Sequence, residues 1–86
     1  MICPWTIYLT YGDQRILERH YKSMCRWVEW RRKRAKNMIY DDQWYGDWLA
    51  IDVSAISGLR GITPRDLIGT AYFYHTTRIV AQIAAI

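Results

Sequence analysis

Residues 13–36, DQRILERHYKSMCRWVEWRRKRAK, decide the fold class. Ile16, Leu17, Tyr21, Met24, Trp27 and Val28 recur at three- and four-residue steps, which puts them on one face of a helix. The opposite face carries Arg15, Glu18, Arg19, Lys22, Arg26 and Glu29, so the helix is amphipathic and rests on something apolar. Asp13 stands where a capping side chain would accept the first unpaired amides. The expected helix spans 14–36.

Toward the N-terminus, residues 4–11 read Pro-Trp-Thr-Ile-Tyr-Leu-Thr-Tyr, carry no charge and end at Gly12. Proline at a helix start and glycine just past its end are the usual punctuation, and they favour a helix over 4–11. Thr, Ile and Tyr also suit a strand, and periodicity alone does not separate the two. Toward the C-terminus, Thr63-Pro64-Arg65-Asp66 predicts a helix start, with Thr63 as N-cap, Pro64 in the first helical position and Asp66 reaching back toward the cap. The helix expected over 64–86 carries Leu67, Ile68, Ala71, Tyr72, Phe73, Ile79, Val80, Ile83 and Ala84 around most of its circumference. Such a helix is normally enclosed by others. It reaches Ile86 without a cap or polar tail, and a domain cut short is the expectation. The fold class is all-α: about three helices and a long aromatic and acidic loop over 37–63.

With 86 residues, 51% hydrophobic, five Trp and seven Tyr, the chain is too apolar for a disordered tail. The aromatic load exceeds what three short elements enclose, so a partner surface, a second copy or the remainder of a larger domain is expected. We expect a two-fold dimer with contacts at Ile68, Tyr72, Ile79 and Ile83. Net charge is +4, and Arg26, Arg31, Arg32, Lys33, Arg34 and Lys36 crowd together. A solvated helix end is the commoner meaning of such a run, and phosphate contact the alternative. Cys3 and Cys25 lack metal-ligand or Cys-x-x-Cys spacing and read as free thiols in a reducing cytoplasm. The apolar start, Ile2 to Leu9, is broken by Pro4 and too short for export or membrane spanning.

No phosphate-binding glycine loop, zinc spacing or nucleophile elbow occurs in the chain, and composition gives no reason to expect a metal or organic cofactor. His20 and His75 read as packing or surface residues. Glu18 and Glu29 lie on the polar face, where neither has the burial that raises a general acid's pKa. Asp41, Asp42 and Asp47 are set among Trp44, Tyr45 and Trp48. Rings stack on the C–H faces of sugars while carboxylates accept hydroxyl hydrogen bonds, so this loop suits sugar binding. A surface loop anchored by its aromatics is the plainer alternative.

Several stretches, taken in order, resemble the catalytic domain of bacterial α-L-rhamnosidases, glycoside hydrolase family seventy-eight. They are Pro4-Trp5-Thr6-Ile7-Tyr8, Tyr11-Gly12-Asp13, Arg15-Ile16-Leu17-Glu18, Tyr21, Ser23-Met24 and Arg26-Trp27-Val28. Tyr45-Gly46-Asp47-Trp48-Leu49 continues the likeness, and Thr63-Pro64-Arg65-Asp66-Leu67-Ile68 with Thr70-Ala71-Tyr72-Phe73 is its most specific block. The fit is poorest over 31–43 and 51–61, and Lys22 stands where the family often has proline. The resemblance implies an (α/α)6 barrel of twelve helices, of which this chain supplies about three. It also implies hydrolysis of terminal rhamnose with inversion, by one carboxylic acid and one carboxylate that activates water. By the same resemblance the acid belongs to a segment before Met1 and the base to a helix beyond Ile86, so no catalytic residue is assigned here and the chain alone is expected to be inactive. Asp47 and Trp48, in the Gly46-Asp47-Trp48 turn, are the candidate substrate-binding residues.

Two rival classes remain. One is a basic helical module in which Arg31, Arg32, Lys33 and Arg34 meet nucleic-acid phosphates while Trp27 and Trp30 stack on bases. The other is a helical protein-interaction subunit. The first leaves the third helix and the Gly-Asp-Trp turn without a role, and no specific nucleic-acid partner is expected.

Overall fold

The computed structural model describes residues 1–41, 47 and 63–86. Three helices make up its regular structure: α1 (Ile2–Tyr11), α2 (Arg15–Arg34) and α3 (Arg65–Ala84). Among the described residues the fold is all-α, apart from an isolated antiparallel bridge between Lys36 and Ile39.

α1 starts at Ile2, two residues ahead of the expected proline start. Pro4 is tolerated in the first turn because the first amides of a helix have no intrahelical acceptor, and the Trp5 N–H makes the first bond, to the Met1 carbonyl at 3.2 Å. Gly12 ends the helix in the left-handed region, at φ 69°, and its N–H donates to the Tyr8 carbonyl at 2.7 Å. Glycine adopts that conformation without the clash a side chain would bring. Asp13 stands one residue before the N-cap, Gln14, which makes no side-chain capping bond; Asp13 Oδ1 accepts the Arg15 N–H at 3.0 Å, while the Arg15 guanidinium folds back onto both carboxylate oxygens.

α2 stops at Arg34, where Ala35 turns to an extended conformation. Lys36 and Ile39 exchange both backbone hydrogen bonds at 2.9 Å around Asn37 and Met38, which have φ of 50° and 66°. Two successive left-handed residues match the tight hairpin turn that follows strand twist, but a methionine there is strained.

The start of α3 departs from its sequence pattern. Pro64 is extended, at φ −57° and ψ 136°, and precedes the helix; no side chain caps the first turn. Thr63 is not the N-cap. Its hydroxyl donates instead to Asp47 Oδ2 at 2.7 Å, and Asp66 accepts the neighbouring Leu67 N–H rather than reaching back. A hydroxyl facing an ionised carboxylate makes a charge-assisted bond about twice as strong as a neutral one, and that contact sets the Thr63 side chain.

Leu17, Met24, Ile79, Val80 and Ile83 form the core, with Trp5, Tyr8, Tyr21 and Val28 packed around it. Along α3, Gly69, Phe73, Thr76, Val80 and Ile83 are buried at alternating four- and three-residue steps, and Ile79 lies beside them. Leu17, Tyr21, Met24 and Val28 repeat the same steps on α2, the spacing by which two helices interlock side chains along a seam. The buried Thr76 hydroxyl is satisfied within its own helix by the Tyr72 carbonyl at 2.6 Å.

α3 is therefore less uniformly apolar in its surroundings than its sequence suggested, because the interlocked stripe alone faces α2. Ile79 and Ile83, expected at a dimer contact, are 2% and 7% exposed inside this chain's own core. Of the four expected contact residues only Tyr72 is exposed, with Ile68 half-buried. α1 has no buried residue and leaves Ile2, Ile7, Leu9 and Tyr11 exposed.

Candidate functional site

Asp47, the described member of the Gly-Asp-Trp turn, is half-buried, and its carboxylate is tied by Thr63 to the start of α3. Gly46 and Trp48 lie outside the described residues, as do Asp42, Trp44 and Tyr45. Asp41 is exposed. A second contact joins the loop to α3: the Tyr40 N–H donates to Thr70 Oγ1 at 3.0 Å. Tyr40 is buried, although the chain around it is exposed.

A stack of rings and cations explains that burial. The Arg31 guanidinium lies 4.3 Å from the Trp27 ring centre and 4.4 Å from that of Tyr40, so it is sandwiched between the two. Tyr40 also meets Trp30 and, across on α3, Phe73, with ring centres 6.5 and 6.3 Å apart. Arg34 covers the Trp30 ring at 3.9 Å. The guanidinium is planar and weakly hydrated, which suits it to lie on aromatic faces where an ammonium would hold its water.

Much of the basic run is thus engaged within the molecule. Arg32 completes a bidentate pair with Glu29, both bonds at 2.7 Å, and that pairing holds the Glu29 carboxyl below its ordinary range. Glu29 stays ionised at neutral pH and is unsuited to donate a proton. Trp27 and Trp30 each have a ring face covered by an arginine of their own chain.

His20 and His75 are exposed and stand on different helices. Among the described residues no group of three or more His, Cys, Asp or Glu side chains could hold a metal ion. Cys3 and Cys25 are both free thiols. A cleft of about 810 Å³ opens beside the stack, between Trp30, Arg34 and Tyr40 on one side and Asp66 on the other.

The sequence singles out Asp47 as a candidate but shows neither its bond to Thr63 nor the contacts of Tyr40 with Thr70 and Arg31. Trp27 with Arg31 and Trp30 with Arg34 are four apart on one helix, a spacing that by itself signals a stack. Tyr40 and Thr70 are brought together by tertiary structure and leave no local trace.

Comparison with known proteins places this arrangement. The profile of the bacterial alpha-L-rhamnosidase 6 hairpin glycosidase domain matches residues 1–86. The α-L-rhamnosidase of Alteromonas sp. (strain LOR) is 36% identical over 85 residues, covering 96% of this chain and 9% of that protein. The α-L-rhamnosidase of Formosa agariphila is 35% identical over 85 residues, covering 99% and 9%. The crystal structure of Streptomyces avermitilis α-L-rhamnosidase complexed with L-rhamnose superposes with a TM-score of 0.80 at 32% identity, covering 95% of this chain and 7% of that one. The chain thus spans less than a tenth of the length of these relatives. A profile match over every residue, together with this shared helix arrangement, shows that the chain belongs to the bacterial α-L-rhamnosidase six-hairpin glycosidase domain family.

Proposed function

We propose that the three helices serve as part of a glycosidase that removes terminal rhamnose, and that Asp47 and Trp48 contact the sugar. The observation that carries this reading is the superposition on a rhamnosidase holding L-rhamnose. The Asp47–Thr63 bond supports it, because a carboxylate held by a neighbour meets a sugar hydroxyl without first losing rotamer freedom. We propose that the acid and base pair comes from elsewhere in the glycosidase. Asp13 and Glu29 are committed to Arg15 and Arg32, and Glu18 is exposed.

A chimera tests the activity directly. Residues 1–86 replace the matching stretch of the Streptomyces avermitilis enzyme, and release of an aryl leaving group from an aryl rhamnoside is followed. Activity is expected, with KM raised in the Asp47→Asn version; a folded but inactive chimera would count against the reading. The isolated chain should release no rhamnose. Turnover that co-purified with it and vanished in Asp47→Asn would overturn that part.

We propose further that the chain resides in the cytoplasm and that, in isolation, it pairs with a second copy through the exposed face around Tyr72. Two free thiols support the first. A shallow hollow lined by Ile2, Ala71 and Tyr72 supports the second. Light scattering across a dilution series, repeated with Tyr72→Glu, tests the pairing, and an unchanged monomer throughout would end it. Among the described residues no helix is long and apolar enough to cross a membrane.

A further inference from the structure

We infer that Arg31 is a positioning residue for the segment that carries Asp47: stacked between Trp27 and Tyr40, it fixes Tyr40 against α3 and so sets where the chain leaves toward Asp47. The inference deepens the proposed sugar contact and rests on it for its functional meaning, while the positioning is testable without sugar.

Two hydrogen bonds tie the loop to the beginning of α3, and they meet it in reverse order. Tyr40 bonds Thr70, and Asp47 bonds Thr63. These are the points at which the described loop residues are fixed to α3, and Tyr40 is the earlier. The chain just before it is closed on itself by the Lys36–Ile39 bridge, with Asn37, Met38 and Ile39 exposed and the first two left-handed. Something other than the hairpin must therefore hold Tyr40. Its ring meets Arg31 and Trp30 from α2 and Phe73 from α3, so Tyr40 bridges the two helices. Of these neighbours Arg31 is the one that lies on a second ring of α2, Trp27 at 4.3 Å, and so ties Tyr40 back to that helix. Removing that guanidinium takes away the group between the two rings, and Tyr40 gains freedom to turn.

Thr63 provides the readout, because its methyl group sits beside the bond to Asp47. In the isotopically labelled full chain, Asp47→Asn first shows where the Thr63 methyl signal falls when that charge-assisted bond is lost. Arg31→Met should move the signal toward that position. Arg31→Lys, which keeps charge but not the plane, should move it less. Thr70→Val, a milder change that removes only the acceptor of the Tyr40 N–H, should move it in the same direction, and the two effects combined should fall short of their sum. Tyr40→Phe, which keeps the ring, should leave it in place. Ile83→Val, in the core, serves as the control for general loosening. An unmoved Thr63 signal in folded Arg31→Met and Thr70→Val proteins would overturn the inference, as would an equal displacement by Ile83→Val. An inactive chimera with the Thr63 displacements intact would remove the sugar contact and leave the positioning standing.

Discussion

The two ends of the α2–α3 pair are held by different physics. At one end Leu17, Met24, Ile79, Val80 and Ile83 exclude water by shape alone. At the other, Trp27, Arg31, Tyr40 and Phe73 form a stack whose members are amphipathic and whose geometry is directional. The apolar end holds the helices together but specifies no loop conformation, since dispersion and burial are indifferent to orientation. The stacked end is expected to add less to stability and, on the inference above, to hold Tyr40 in place, because a guanidinium between two rings tolerates little rotation.

The largest test of this contrast is Ile79→Ala. At 2% exposure the lost side chain should cost about 2–4 kcal/mol in urea unfolding, through lost burial and the cavity left behind. Arg31→Met should cost less, about 0.5–2 kcal/mol by the same measurement, the range for a partly desolvated cation on rings. If the order were reversed, the stack and not the apolar seam would be the stabilising element.

A smaller change should go the other way. Met38 is exposed and left-handed, so Met38→Gly relieves strain without removing packing and should raise stability by up to about 1 kcal/mol, read as a later urea midpoint. Loss of stability there would mean that the exposed hairpin makes contacts on which the stacked end depends.

The smallest effect concerns the turn before α2. The Arg15 guanidinium beside Asp13 lowers its carboxyl to about 2, with the Arg15 backbone N–H helping. A carboxylate depressed in the folded state contributes above its unfolded value, and the contribution is lost as pH falls from about 4 through 2. Both groups are open to water, so the loss should be slight. Titration followed by NMR should find Asp13 near 2 and, in Arg15→Gln, back toward the ordinary carboxylate range. An unchanged titration would assign the shift to the helix start instead of to Arg15.

Much of the scaffold was legible because helices are written in local terms. The three- and four-residue steps of Ile16, Leu17, Tyr21, Met24 and Val28, the glycine at 12 and Asp13 beside the helix start act through neighbours along one chain, and all three helices lie near their expected bounds. The pattern at Thr63-Pro64 misled because its cap depends on where one hydroxyl points. Asp47, sixteen residues away, takes it. The apolar circumference of α3 misled for a related reason: composition counts apolar residues, while burial depends on which stripe another helix covers. Tyr72 stayed exposed as expected, whereas Ile79 and Ile83 went inside.

The family was legible as well, since short words in fixed order survive without reference to contacts. By itself, then, the sequence determined an all-α chain, the order of its helices, its kinship with rhamnosidases and the candidacy of Asp47. Tertiary structure alone decided what meets Asp47, that Tyr40 joins the stack, and which face of α3 remains open. Those outcomes hinge on groups well separated along the chain meeting at hydrogen-bond or stacking distance, as Asp47 meets Thr63 sixteen residues away and Tyr40 meets Thr70 thirty away, and no local periodicity encodes such a meeting.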